Sequence, residues 1–221
     1  MEIHFRETGN LWEGALESPA ATYRSVDGVS ASIGEPFQWA DGEMLGDKWT
    51  PPIGGNRFYL LQLAFTLKPR GNVKVISAEF RLSLNPQGNK KAIVFDAFPR
   101  EQTVATNDSV TLGIGPDFKF GKVDTSVAKA EATVDVGVVV PVVHVEGLQE
   151  PSLRWRYEQH AKHPLTGSKR MHAIVMLPPG MKTTLATLEL IVNAEGRFGP
   201  IRVSPPMSEQ EKLRWVVGEK S

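Results

Sequence analysis

The chain has 221 residues, no cysteine, and 25 basic against 25 acidic side chains, so its formal net charge at neutral pH is zero. These totals exclude disulfides, thiolate metal sites and cysteine nucleophiles, and they give the chain no global attraction for a polyanion or an anionic membrane. Hydrophobic residues make up 41% and charged residues 23% of the chain, which is typical of a folded protein and not of a disordered one.

Residues 1–55 are predicted to form a loop-rich N-terminal arm. The opening MEIHFRETGNLWEG has no basic segment followed by an apolar run, so the sequence predicts no signal peptide. Residues 42–55 are rich in Gly and Pro and show no sustained period. The pattern leaves open whether this arm packs into the main domain, which is predicted to span residues 56–204.

Residues 56–204 carry the period-two pattern of antiparallel strands. Every second residue of Lys74–Leu84 from Ile76 onward is apolar, and polar residues lie between them. Arg57–Lys68 is apolar on both faces, as in a central strand, and Pro69–Asn72 joins the two runs with the spacing of a β-hairpin. Further strands are predicted at residues 92–97, 103–105, 109–114, 127–140, 142–145, 152–158, 171–177, 184–192 and 201–203.

The predicted fold class is all-β, an antiparallel β-sandwich (or flattened barrel) with a short C-terminal helix. Many short strands separated by Gly and Pro turns, with no helical pattern between them, favour this class over an α/β fold. The helix is predicted within residues 205–221, where Ser208 and Glu211 have the spacing of a capping box and Lys212–Val217 would add two turns. Its apolar patch would pack on the sandwich or dock a partner, and it consists of Leu213, Trp215 and Val216.

The segment LRWRYEQHAKH, residues 153–163, is rich in charged, aromatic and histidine side chains. Its alternation predicts a strand over Ser152–Glu158 with Trp155 and Tyr157 in the core, followed by a loop over Gln159–Arg170 that has no acidic residue. Basic residues of the strand and the loop would then form an interaction surface for an anion, a nucleic acid or a protein. The members of this basic surface are Arg154, Arg156, His160, Lys162, His163, Lys169 and Arg170.

The search for catalytic and metal-binding patterns finds little. His160 and His163 form H-x-x-H, but they lie in a predicted loop with Lys162 between them, and no H-E-x-x-H motif exists. Phosphate-binding glycine loops and the G-x-S-x-G elbow are also absent from the sequence. We therefore predict no catalytic residue, no cofactor and no metal site, and we favour a chain that is not an enzyme.

One segment has the pattern of a membrane-inserting hairpin. In Val127–Val140 small apolar residues alternate with polar ones over fourteen positions, and Ser109–Val123 would be the second strand. The apolar face begins with three alanines and no aromatic girdle is visible, so a long sandwich strand is the favoured interpretation.

The favoured function is a non-catalytic β-sandwich that binds a protein, itself or another chain, as a component of a cytoplasmic assembly. Nucleic-acid and membrane partners are not expected, and a small-molecule ligand is not specified by the sequence. Three alternatives stay open: a hydrolase or metal-dependent enzyme that uses residues 153–163, a membrane-acting or pore-forming β protein that refolds residues 109–140, and a structural shell or tube subunit.

Overall fold

The computed structural model describes residues 2–3, 6–18, 28–41, 43, 54–102, 109–113, 119–121, 132–135, 142–160, 164–196 and 199–219. The chain is all-β, and every described strand pairing except one is antiparallel, which confirms the predicted fold class. The strands are β1 (Glu2–Ile3), β2 (Asn10–Ala15), β3 (Val29–Gly34), β4 (Phe37–Ala40), β5 (Arg57–Pro69), β6 (Lys74–Leu84), β7 (Ile93–Phe98), β8 (Glu101–Gln102), β9 (Ser109–Gly113), β10 (Lys119–Gly121), β11 (Ala132–Asp135), β12 (Val142–Glu146), β13 (Ser152–Glu158), β14 (Gly167–Leu177), β15 (Thr183–Gly196), β16 (Gly199–Val203) and β17 (Arg214–Gly218).

Two large sheets form the sandwich. The seven-stranded sheet has the order β16-β15-β6-β13-β12-β8, and β17 pairs with the same edge of β15 as β16 does. The six-stranded sheet has the order β2-β3-β5-β14-β7, and β4 shares an edge of β5 with β3. The long central strands of each sheet therefore lie between neighbours on both sides.

Aromatic side chains join the two sheets across the core. The rings of Phe65 on β5 and Phe80 on β6 are stacked with centroids 5.5 Å apart, and Tyr157 on β13 meets the edge of Phe65 at 5.3 Å. Trp155, two residues before Tyr157, lies 6.3 Å from Phe80. All four are buried, and burying one such side chain contributes roughly 1.5–3 kcal/mol. The alternation read from the sequence thus points these residues into one shared core.

The hairpin predicted at Pro69–Asn72 is wrong. β5 belongs to the six-stranded sheet and β6 to the seven-stranded sheet, so the short link crosses from one layer to the other. Its backbone is held by a hydrogen bond from Arg70 N to Gly28 O of 2.7 Å. A four-residue link fits a hairpin or an inter-sheet arch equally well, and the packing of Phe65 on Phe80 requires the arch.

Part of the predicted arm forms strands of the sandwich. β2, β3 and β4 all lie in the six-stranded sheet, where Trp12, Ile33 and Trp39 are buried. Alternation in these strands is short and was hidden by the neighbouring Gly- and Pro-rich residues. The proposed division of the chain near residue 55 stays a prediction.

The C-terminal helix exists but is shorter than predicted. A 3-10 helix spans Met207–Leu213, and its N-cap position is Pro206 with no side-chain capping hydrogen bond, so Ser208 does not form the expected capping box. The chain becomes extended at Arg214, and β17 pairs with β15. The β-branched Val216 and Val217 suit a strand, and the edge of β15 supplies backbone partners that a helix could not use.

A third, smaller sheet lies apart from this pairing network, with the order β1-β11-β9-β10. β1 runs parallel to β11, and the other two pairings are antiparallel. Within the described residues, no helix has the length and apolar run that spanning a bilayer requires.

Candidate functional site

The basic surface predicted from LRWRYEQHAKH is largely neutralised by ion pairs. Arg154 contacts Glu146 on β12, and its Nη1 atom lies 3.4 Å from Glu79 Oε2 on β6. Arg81, which faces Arg154 across the β6–β13 pairing, contacts Glu79 at 2.8 Å and Glu189 at 3.1 Å. These five residues, which we call the charge row, cross four strands on the outer face of the seven-stranded sheet.

The charge row also changes the proton affinity of its members. The hydrogen bond from Arg154 lowers the pKa of Glu146, and the positive charge of Arg154 adds to this effect. The same hydrogen bond, followed by the charge of Glu79, raises the pKa of Arg154. With three carboxylates and two guanidinium groups, the row offers a passing anion no net attraction.

The remaining basic residues are spread over different elements. Arg156 pairs with Glu158 at 3.1 Å, and His160 lies exposed just after β13. Lys169 and Arg170 lie on β14 in the other sheet, because that strand begins at Gly167 and not near Met171 as predicted. Lys162 and His163 lie outside the described residues. Binding of a partner by this set therefore stays a prediction.

Lys169, predicted to lie in the loop, is held near the start of β14. Its Nζ atom donates a hydrogen bond to Thr166 O at 2.7 Å, and partial burial lowers the pKa of the ammonium group. This side chain closes the end of its own strand and does not reach out from a loop.

The apolar patch predicted near the C-terminus is divided by β17. Leu213 is buried in the core, Trp215 is half-buried, and Val216 is exposed. Leu213 ends the 3-10 helix. Trp215 and Val216 differ because successive side chains of β17 point to opposite faces. Of these three residues, only Trp215 lines a surface cleft.

No cluster of three or more His, Asp or Glu side chains with metal-ligand spacing occurs in the part of the chain that the structure describes. Burial raises the pKa of Tyr157, so this phenol is a core group and not an acid–base group near neutrality. Among the described contacts, neither its hydroxyl nor the Trp155 indole nitrogen has a hydrogen-bond partner.

The small third sheet has the most distinctive arrangement. β9 and β11 form an antiparallel pair that we call the ribbon, and both outer edges of the ribbon are covered, by β10 on the β9 side and by β1 on the β11 side. In the β9–β10 pairing Thr111 lies opposite Gly121. In the β1–β11 pairing Glu2 lies opposite Thr133.

The register of the ribbon sorts residues by polarity. Cross-strand partners lie on the same face of a sheet. A register can therefore pair residues of like polarity, or it can pair apolar residues with polar ones. Here each pair joins residues of the same kind, and apolar pairs alternate with polar ones. The four pairs are Leu112–Ala132, Thr111–Thr133, Val110–Val134 and Ser109–Asp135.

The sequence carries a further signal for this segment. Between Ser109 and Gly121 every even-numbered residue is apolar, and the odd-numbered ones are polar or glycine. Two of the apolar positions are aromatic. The apolar set is Val110, Leu112, Ile114, Pro116, Phe118 and Phe120.

Comparison with solved structures finds chains that align with most of this one. Clostridium perfringens delta-toxin is 11% identical with a TM-score of 0.46, and the match covers 86% of this chain and 81% of that one. A pore forming protein is 8% identical with a TM-score of 0.46, and the match covers 85% and 90%. The NetB toxin of Clostridium perfringens in the membrane inserted form is 10% identical with a TM-score of 0.34, and the match covers 92% of both chains.

No protein-family model and no curated protein matches the sequence. The structural matches contradict three expectations: a non-catalytic binding module as the main function, the absence of a membrane partner, and a cytoplasmic location. The matched structures are two toxins and a pore forming protein, and one of the toxins is in its membrane inserted form.

Proposed function

We propose that this chain is a membrane-acting, pore-forming β protein that inserts residues 109–140 as a transmembrane hairpin. The observation that carries the proposal is the ribbon register, in which apolar and polar pairs alternate along β9 and β11. A hairpin of this kind presents one face to lipid and the other to water, which is the pattern of a membrane-spanning β-strand pair.

The same register stays matched when it is extended toward the tip of the hairpin. Continuing the pairing places Ile114 opposite Ala130 and Gly115 opposite Lys129, so apolar residues again meet apolar residues. Extension from Ser109–Asp135 to Pro116–Ala128 gives eight matched pairs, and the ninth pair, Asp117–Val127, joins a polar to an apolar residue at the tip. A membrane-spanning strand needs about 9–11 residues.

The ribbon must refold before it can span a bilayer. β9 has five residues and β11 has four, which is too short to cross. β10 pairs antiparallel with β9, so the two cannot be parts of one continuous strand while this pairing stands. Insertion of the longer hairpin therefore requires β10 to leave β9.

In a membrane, both edges of the ribbon also need neighbouring strands to pair with. An unpaired strand edge in hydrocarbon leaves backbone N–H and C=O groups without hydrogen-bond partners, at a cost of several kcal/mol for each group. Release of β1 and β10 would free both edges of the ribbon, and each edge could then pair with the ribbon of a neighbouring copy. The proposed active form is thus a closed assembly of several copies.

A single lysine substitution tests the proposal. Val134→Lys places a charge on the predicted lipid face, where a Lys near the bilayer midplane costs about 2–4 kcal/mol, so we expect dye leakage from vesicles to slow by at least about tenfold. Thr133→Lys is the matched control, because it adds the same charge one residue away on the predicted water face and should leave leakage near the wild-type rate.

The vesicles should include phosphatidylcholine alone and mixtures with anionic lipid or cholesterol. Equal rates for the two lysine variants, or no leakage by the wild-type chain from any of these vesicles, would contradict the proposal. Circular dichroism of both variants in solution checks that neither change unfolds the chain.

A further inference from the structure

A surface cleft of about 770 Å³ lies where one end of the six-stranded sheet meets the C-terminal strand. β4 and the start of β5 form one wall, and β17 with Glu219 forms the other. Gln38 joins the walls, since its Nε2 donates to Gly218 O at 2.7 Å and its Oε1 accepts from Gly218 N at 3.1 Å. Sites for small ligands commonly have volumes of about 300–1,000 Å³, so this cleft is large enough for one.

The polar groups of the cleft are held in place by the fold. Asp41 Oδ2 accepts a hydrogen bond from Phe58 N at 3.0 Å, and Glu43 Oε2 accepts one from Ala40 N at 2.8 Å. Arg57 Nη1 lies 2.5 Å from Glu219 Oε1. Each of these carboxylates keeps acceptor capacity beyond the bond it already makes, and the guanidinium keeps further donors.

Aromatic residues supply the apolar part of the lining. Trp215 is half-buried and Tyr59 is buried beside Arg57, where desolvation raises the pKa of its phenol. Phe37 carries the guanidinium of Arg6 on its ring, 4.4 Å from the centroid, so that ring is already covered. Trp215 is therefore the ring that is available to stack against a ligand.

The charge of the lining narrows the class of ligand. Four carboxylates, those of Glu35, Asp41, Glu43 and Glu219, face one guanidinium, that of Arg57. An anionic group would be repelled here, which argues against phosphate, sulfate and acidic sugars. A wholly apolar ligand would have to desolvate these groups without replacing their hydrogen bonds.

A neutral sugar fits the remaining chemistry better than an organic cation does. An organic cation would contact the carboxylates but would be repelled by Arg57, whereas a neutral sugar can use the carboxylates and the guanidinium together. Sugar hydroxyls donate to the spare lone pairs of carboxylates and accept from a guanidinium, and the apolar face of the ring can lie on an indole. Arg57, Glu219 and Trp215 provide all three interactions within one cleft.

We propose that this cleft binds a neutral saccharide, with Trp215 as the stacking platform. This site goes beyond the proposed membrane activity and does not depend on it. The saccharide could be free or could be the headgroup of a neutral glycolipid, and the chemistry of recognition is the same in both cases.

Isothermal calorimetry with the full chain tests the site, using lactose, maltotriose and triacetylchitotriose as neutral probes. We expect a Kd of about 1 mM or tighter for at least one of them. Trp215→Ala should weaken that binding by about tenfold or more, and Trp215→Phe should retain most of it because a flat ring remains. Val216→Ala is the matched control, since Val216 is exposed on the other face of β17 and should leave the Kd unchanged.

Two further probes decide between ligand classes. Sialyllactose and tetramethylammonium should bind more weakly than the neutral probe, and tighter binding of either would overturn the proposal. Absence of binding by all three neutral saccharides would also overturn it. Flotation with vesicles that carry lactosylceramide then identifies the source: capture assigns a membrane glycolipid, and binding of the free sugar alone assigns a soluble glycan. Because the calorimetry needs no membrane, failure of this site leaves the leakage test unaffected.

Discussion

At the scale of single residues, the charges on β13 show how neighbouring strands decide the role of a side chain. The alternation of Ser152–Glu158 correctly places Trp155 in the core and Arg154 outside. The carboxylates that neutralise Arg154 are those of Glu146 on β12 and Glu79 on β6. Glu146 lies eight residues from Arg154 in the sequence, and Glu79 lies seventy-five residues from it. Arg154, predicted as part of a basic surface, is for this reason one member of a row of ion pairs.

The pair of Glu146 with Arg154 predicts a pH-dependent contribution to stability. The folded pKa of Glu146 lies below its ordinary value of 4.5, so the stabilisation is present above that value and is lost as the pH falls through the folded pKa. We expect Glu146→Gln to lower the melting temperature slightly at neutral pH and to match the wild type in strong acid.

Thermal melts across this pH range measure the effect. Glu211→Gln is the control, because Glu211 is exposed in the 3-10 helix and makes no ion pair among the described residues. A neutral-pH change for Glu146→Gln that is no larger than the control's, or that persists unchanged in acid, would contradict the role given to this pair.

At the scale of elements, short connections do not reveal which strands pair. The link between β5 and β6 has hairpin length but joins two layers, and the link from β13 to β14 also passes from one sheet to the other. β10 is the element whose pairing bears most on the proposed function, because it covers one edge of the ribbon.

A disulfide between β9 and β10 should hold the ribbon in its present form. Thr111 and Gly121 are register partners, and antiparallel partners have Cα atoms about 4.5–5.5 Å apart, within the range that a disulfide spans. The chain has no native cysteine, so Thr111→Cys with Gly121→Cys introduces one defined cross-link. We expect the oxidised double variant to release no dye from vesicles and the reduced form to regain leakage.

The control cross-link lies in the sandwich. Ser83 and Ser152 are register partners on β6 and β13 with hydroxyl oxygens 3.1 Å apart, so Ser83→Cys with Ser152→Cys bridges strands that need not separate. This variant should leak at the same rate in both redox states. Full leakage by the oxidised ribbon variant would show that β10 does not have to leave β9.

At the scale of the whole molecule, the balance of charge bears on how the proposed membrane activity would begin. With 25 charges of each sign, long-range attraction to an anionic bilayer is absent. Association should then depend on local contacts and on burial of apolar surface, which salt screens little.

We therefore expect leakage rates that change by less than about threefold when anionic lipid is added or when the salt concentration is raised, since neither alters a net attraction of zero. Vesicle series in lipid composition and in ionic strength measure this directly. A steep rise with anionic lipid that salt suppresses would instead indicate a concentrated basic patch, and the Lys169 and Arg170 region would be the first place to mutate.

The sequence by itself determined several of the central strands and the faces of those strands. β6 and β13 have the boundaries predicted from alternation, because a period of two is a local property that neighbouring residues report. The same local pattern marked residues 127–140 as a membrane hairpin. Its alanines and the lack of an aromatic girdle favour a sandwich strand, whereas Phe118 and Phe120 follow the apolar period of the partner segment and favour the hairpin.

Only the tertiary structure decided how those strands combine. It placed β5 and β6 in opposite sheets, turned the end of the C-terminal helix into β17, surrounded Arg154 with carboxylates, and brought Trp215 to Arg57 and Glu219 in one cleft. It also gave the ribbon a register that matches polarity and strands that cover both of its edges. Each of these depends on which distant segments meet, and backbone hydrogen bonds between strands carry no sequence code of their own, so packing of the whole chain chooses the partners.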